Sequence, residues 1–454
     1  MKYQIQKEAR RPRAYAVPPQ RLPLFLYLAA MSALVGLASL PLVWTRLATI
    51  GDLTVGPFHI AFACTTVFVV LGSKRRCLRR LIRENAFLLV ATLVFLLAML
   101  LVFLIGNLQL RNVVRPFIYA VFGYAVGLLV TDGRLRIQQI LALAAPVAVG
   151  LFLLSFFVAA VSSGASVVMY LVLAIKTADP DILIFRVFRT IIATGGEALP
   201  EARANLRHDI GLGLLFCGVI SMTFLRSQAM GALRTVILVA TGLTLLIAIV
   251  TLSRATIVIG LLSAVYIALG RAGTAISFQR VLLLLALPCL GLAVLFATPL
   301  GDLVVSRFAQ SESYDARGQA TRDSLAVIAD NPLFPSDGAV IDLIAGNSHN
   351  VLLESWKYGG AAGAFAAFLM IAAVVGAMLR GVLWMRRISV TPRRGVSPDI
   401  LFASSLLVFP FVRYFSSGGG LGMPSWAAIG VAAGCFAVYR QLWYESRQPF
   451  GRPS

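Results

Sequence analysis

Apolar residues arrive along this chain in unbroken runs of about twenty, separated by short charged breaks. A helix advances about 1.5 Å per residue, so such a run spans roughly 30 Å of hydrocarbon. The runs fall near residues 23–44, 53–72, 86–105, 113–131, 139–161, 209–225, 235–252, 255–270, 281–298, 359–379, 399–415 and 424–440. A transmembrane β-barrel would alternate with period two instead, and is excluded. The pattern predicts an all-α, polytopic integral membrane protein with about 12 transmembrane helices. One transmembrane domain occupies 23–440, between a basic tail over 1–22 and a second tail over 441–454. The first run follows about twenty polar residues without a small-residue cleavage site, so it reads as a retained span rather than a signal peptide.

Composition narrows the class further. Of 454 residues, 59% are apolar and only 13% charged, too few charges to cover a water-soluble surface of this size. A soluble enzyme, a disordered chain and a secreted disulfide scaffold are all excluded. With the N-terminus taken as cytoplasmic, Lys and Arg gather on one side of the frame. That side holds the N-terminal tail, the run over 74–83, Arg134 and Arg136, Arg226 and Arg234, Arg271 and Arg280, the group over 380–394 and the C-terminal arginines. It carries 26 basic residues against 5 acidic ones, the other side carries 14 of each, and the whole formal charge of +21 therefore sits on one face. The basic surplus is thus topology and attraction to anionic membrane lipids rather than nucleic-acid binding. The five cysteines show no paired spacing that would indicate disulfides or a metal site.

Polar chemistry concentrates in two long outer loops, at about 162–208 and 299–358. The first contains an apolar-basic stretch over 167–190, suited to lie along the membrane interface. It also carries the cluster Arg186, Arg189, Arg203 and Arg207, any of which is able to contact phosphate or glycan. The second contains a helical-looking segment over 317–329, ended by Asn331-Pro332, and then Asn347-Ser348-His349-Asn350 at the entrance to the next span. No acidic residue lies deep in a span, which argues against the carboxylate relays of proton-coupled carriers. What remains is an outer face with arginines, whose fork suits phosphate oxygens, and a histidine able to take a proton from an attacking hydroxyl. Cations that neutralise a diphosphate leaving group remove the need for a metal or other cofactor.

His349-Asn350 is followed after nine residues by Gly360-x-x-Gly363. Upstream, Thr251-Leu252-Ser253-Arg254-Ala255 stands at the outer end of a span, and Arg317 precedes Pro332-Leu333-Phe334 by fifteen residues. In this order the segments resemble the O-antigen ligase and O-antigen polymerase superfamily of bacterial surface-polysaccharide enzymes, over about residues 250–380. Two departures stand out: Thr321 occupies a position often aromatic in that family, and Gly338 falls later than its turn glycine. The resemblance implies a glycosyltransferase of the bacterial inner membrane, with both termini cytoplasmic and a periplasmic active site. Its substrate would be an undecaprenyl-diphosphate-linked glycan, either polymerised or ligated to an acceptor such as lipid A–core or a second lipid-linked glycan. Arg254 and Arg317 would bind the diphosphate, His349 would activate the acceptor hydroxyl, and Asn350 would orient His349 or the sugar. Displacement would be inverting, with neither metal nor cofactor. Glu354 shares a helical face with Asn350 and either fixes that asparagine or faces water.

Two other classes make different demands. A transporter or flippase of lipid-linked sugars predicts polar side chains lining a path within the spans. A non-catalytic subunit of a polysaccharide assembly complex predicts that His349 and Arg254 are dispensable.

Overall fold

A chain that leaves water must satisfy its backbone N–H and C=O groups internally, and a helix does so within one segment. The computed structural model describes residues 22–42, 48–50, 53–106, 110–162, 166–177, 179, 182, 186–187, 202–228, 231–272, 302, 305, 312–336, 350–387, 398–416 and 422–447. Helix α1 (Leu24–Ala38) runs into a 3-10 turn, Leu40–Leu42. Strands β1 (Ala48–Ile50) and β2 (Leu53–Val55) then pair antiparallel, with Thr49 opposite Thr54. The predicted span over 53–72 therefore opens as strand and becomes helix only at α2 (Pro57–Gly72), where proline occupies a position whose missing N–H is not needed. A short helix, α3 (Arg75–Glu84), turns 109° away from α2.

The next helices are α4 (Ala86–Leu104), α5 (Leu110–Thr131), α6 (Leu135–Leu141), α7 (Ala144–Ser162) and α8 (Ser166–Thr177). They are followed by α9 (Ala202–Phe224), α10 (Gly231–Val250), α11 (Arg254–Ala272) and α12 (Glu312–Asp330). The chain ends in α13 (Val351–Arg387), α14 (Ile400–Ser405), α15 (Val408–Ser416) and α16 (Met423–Arg447). Among the described residues, six helical stretches are long and apolar enough to cross a bilayer, or seven if α2 and α3 form one broken span. Helix also covers the remaining predicted spans except 281–298, which lies outside the described residues. The predicted boundaries shift at two places: α13 begins at Val351 rather than near 359, and α16 runs to Arg447, through the start of the expected tail at 441.

The bundle is built around α9, whose spanning window is 83% buried against 22% for α10 at its edge. Exposed apolar side chains such as Val70, Leu104, Phe157 and Leu269 give the outer surface the character of a lipid contact. Helices α5 and α16 approach backbone to backbone: a Cβ on Gly430 would overlap the Gly123 carbonyl, and one on Gly123 would overlap the Trp426 carbonyl. Small residues permit this approach where lipid offers no hydrophobic drive between helices.

Charge collects at one end. There Arg83 (2.9 Å) and Arg440 (3.6 Å) both reach Glu84, and Arg380 donates to the Glu84 carbonyl and to Asn85 Oδ1. Arg226 pairs with Asp399 at 3.3 Å, and Arg134 with Asp132 at 2.7 Å. Gln139 donates to the Ser227 carbonyl, tying α6 to the end of α9. These contacts join the segments assigned by their sequence to the basic side. The opposite end gathers the starts of α2, α5, α9, α11 and α13 with the end of α15.

Candidate functional site

At the start of α13, Asn350 Oδ1 accepts hydrogen bonds from the N–H groups of Leu352 (3.0 Å) and Leu353 (3.3 Å). This satisfies two donors that a helix start leaves without partners, so Asn350 is a helix cap. His349, directly before it, lies outside the described residues. Glu354 neither faces water nor serves simply to fix the asparagine. Its Oε1 accepts from Lys357 Nζ at 3.1 Å, and both side chains are buried, Lys357 completely. The ammonium also lies 5.0 Å from the centre of the Tyr358 ring. Such a pair holds only while both charges remain, because a buried charge without its partner is strongly destabilising.

The two glycines of the motif turn out to shape the backbone. Gly360 has φ 60° and ψ −154°, interrupting α13 in a region essentially confined to glycine. Into this break comes the segment that ends α12. Ala361 N–H donates to the Leu333 carbonyl (3.2 Å), Ser336 N–H to the Lys357 carbonyl (3.4 Å), and Trp356 Nε1 to the Pro332 carbonyl (2.8 Å). A Cβ on Gly360 would come within 2.6 Å of the Leu333 oxygen, and one on Gly363 would overlap the Ser355 carbonyl. Asn331-Pro332 thus ends α12 as predicted, and Val327 packs on Tyr358. Arg317 stands ten residues earlier on α12, about 15 Å along the helix from Val327, and is half-buried.

Arg254 is the first residue of α11. Ser253 caps that helix, its Oγ accepting from Thr256 N–H (3.2 Å) and Thr256 Oγ1 (2.8 Å). The preceding Leu252 has φ 52°, the one positive φ among the described non-glycine residues. Thr251 and Thr256 close on Gly211 of α9, where a Cβ would lie 2.6 Å and 2.9 Å from their hydroxyl oxygens. The start of α11, carrying a partly buried Arg254, is therefore packed one turn or less from Asp209.

Around Asp209 lie charges that the sequence reading passed over. Arg413 on α15 is within electrostatic reach of Asp209. Tyr119 on α5 feels both Asp209 and Arg115, and Arg115 in turn acts on His59 at the start of α2. His59 Nδ1 accepts from Gly56 N–H at 2.9 Å, so it helps close the first turn of α2. Val351, at the start of α13, belongs to the same buried cluster as Tyr414, Ala120 and Trp426. The legible signal was an arginine inside an apolar run, as in Val-Val-Arg115-Pro or Phe-Val-Arg413-Tyr. Each lies near the edge of its span.

The first-loop arginines are placed only in part. Arg186 is exposed, 5.9 Å from the centre of the Tyr170 ring, and Arg189 lies outside the described residues. Arg203 and Arg207 belong to the first turns of α9, ahead of Asp209, with their side chains outside the described set. The site that emerges is a pair of cations brought by α5 and α15 toward Asp209, with the start of α11 packed on Gly211 of the same helix and a capped and broken helix at the same end. No protein-family model matches this chain, and no curated protein matches it.

Proposed function

We propose that this protein is a membrane glycosyltransferase that moves a glycan from an undecaprenyl-diphosphate carrier to an acceptor hydroxyl. The observation that carries the reading is the gathering of Arg115 and Arg413 near Asp209, at the same end of the bundle as the start of α11 with Arg254 and remote from the basic face. Guanidinium groups there suit a lipid diphosphate at headgroup depth, because their forks match phosphate oxygens and their charge is fixed. His349, next to the Asn350 cap, takes the proton as the acceptor oxygen attacks the anomeric carbon. The bond from that carbon to the diphosphate breaks, and its electron pair leaves on the diphosphate oxygen, where the arginines stabilise it. One such displacement inverts the anomeric centre and asks nothing of a metal, so a chelator leaves the rate unchanged. A twelve-span frame with both termini cytoplasmic and this site in the periplasm belongs to the same proposal.

Deletion of the gene, followed by examination of surface polysaccharide, tests it. Loss of long chains with a single repeat retained indicates a polymerase, the form favoured by two sizeable outer loops. Long lipid-linked polymer above a bare lipid A–core indicates a ligase, and unchanged glycans on every acceptor end the proposal. His349→Ala lowers product on the order of 10²–10⁴-fold, with the protein still inserting normally. Arg254→Ala and Arg413→Ala each lower it too. A carrier or flippase is the second reading, favoured by charges such as Asp209 and Arg413 seated in helices. Purified protein that moves labelled lipid without forming glycosidic bonds would replace the first reading with the second.

A further inference from the structure

The basic end contains a feature that the transfer chemistry does not use. Helix α3 lies nearly across the direction of α2, at 109°, and its ten residues divide around the axis into three faces. At about 100° per residue, Cys77, Leu81 and Glu84 share one face. Cys77 and Leu81 are buried, and Glu84 holds Arg440. Leu78 (46%) and Ile82 (48%) form a second, exposed apolar face. Arg75, Arg76, Arg79, Arg80 and Arg83 fill the remaining arc of ~140°.

The pose is fixed from the bundle side. Arg80 donates to Gln441 Oε1 on α16, Asn85 Nδ2 donates to the Ala433 carbonyl (3.0 Å), and Arg380 grips the Glu84 carbonyl. Arg75, Arg76 and Arg79 are exposed and make no ion pair among the described residues. A helix anchored on one face, apolar on the second and cationic on the third has the form of an in-plane membrane helix. Exposed Val70 and Leu71, at the end of α2, continue the apolar surface beside it.

We propose that α3 is a docking site for an anionic phospholipid of the leaflet at the basic end. Arg75, Arg76 and Arg79 hold the headgroup phosphate, and the acyl chains lie along Leu78, Ile82 and the end of α2. The site is separate from the proposed transfer centre at the other end and stands whether or not that reading survives. Charge complementarity selects the occupant: three exposed cations with no ion pair among the described residues stand at the depth of lipid phosphates, with apolar surface directly adjoining.

The test uses the full chain purified in a neutral detergent, with thermal unfolding followed as lipid is added. Phosphatidylglycerol raises the unfolding midpoint, whereas phosphatidylcholine with the same chains, or inorganic phosphate, does not. The variant R75Q/R76Q/R79Q shifts the half-saturating phosphatidylglycerol concentration upward about 100-fold, from roughly a factor of five per cation lost. An equal response to phosphatidylcholine, an equal response to inorganic phosphate, or an undiminished response in the variant overturns the proposal. Should that variant fail to fold, the same titration of the unaltered protein at low and high salt decides, and a salt-insensitive gain overturns it.

Discussion

Lys357 has no exposed side-chain surface, and its charge rests on Glu354 one turn earlier in α13. Lys357→Met therefore removes the ammonium that a buried carboxylate accepts from and lowers stability by about 3–5 kcal/mol. The double variant K357M/E354L removes both charges and recovers most of that loss. Thermal unfolding of the four forms measures the coupling, and a double variant no better than the single one would sink the assignment. Gly360 makes a different demand, because its backbone rather than a side chain is at stake. Gly360→Ala strains φ 60° and drives a methyl toward the Leu333 oxygen, a loss of about 1–3 kcal/mol before any rearrangement. The expected signs are faster proteolytic cutting near residues 331–336 and loss of the proposed transfer activity. Unaltered proteolysis would show that the break in α13 is not held by the segment docked there. Both features were half legible beforehand. The spacing of Glu354 and Lys357 marks an ion pair, and paired glycines mark close packing, but neither burial nor the sign of φ can be read from residue order.

Helices were the most legible level. An apolar run near twenty residues has essentially one structure in lipid, so α4, α5 and α10 fall where the pattern puts them. The hairpin over residues 48–55 was missed because its short strands merge with the apolar start of the next span. The contact between α5 and α16 was equally hidden, since it joins segments some three hundred residues apart in sequence. It depends on glycine, and Gly430→Val should force these helices apart. The expected result is a lower unfolding temperature and less monodisperse protein on size-exclusion chromatography. Gly242→Val serves as the control, because open space surrounds that glycine. Equal behaviour of the two variants would refute the close approach as a source of stability.

Across the whole molecule, charge was legible as a gathering at one end of the bundle and illegible as a site. Counting placed Arg115 and Arg413 on the outer side, but only the fold draws them toward Asp209, because the helices that carry them are distant in sequence. Sidedness is checked with reporter fusions. A phosphatase active only outside the cytoplasm should work when inserted near residue 335 and fail near residue 390, with the reverse for a cytoplasm-dependent fluorescent reporter. The same sign at both positions would dismantle the frame. The capped starts of α11 and α13 have one more effect at the site end. Each aligned stack of peptide units presents roughly half a positive unit of macrodipole there, anchored in the main chain and beyond the reach of side-chain mutagenesis. Stripping the guanidiniums one at a time should therefore weaken the hold on a bound anion without ever abolishing it.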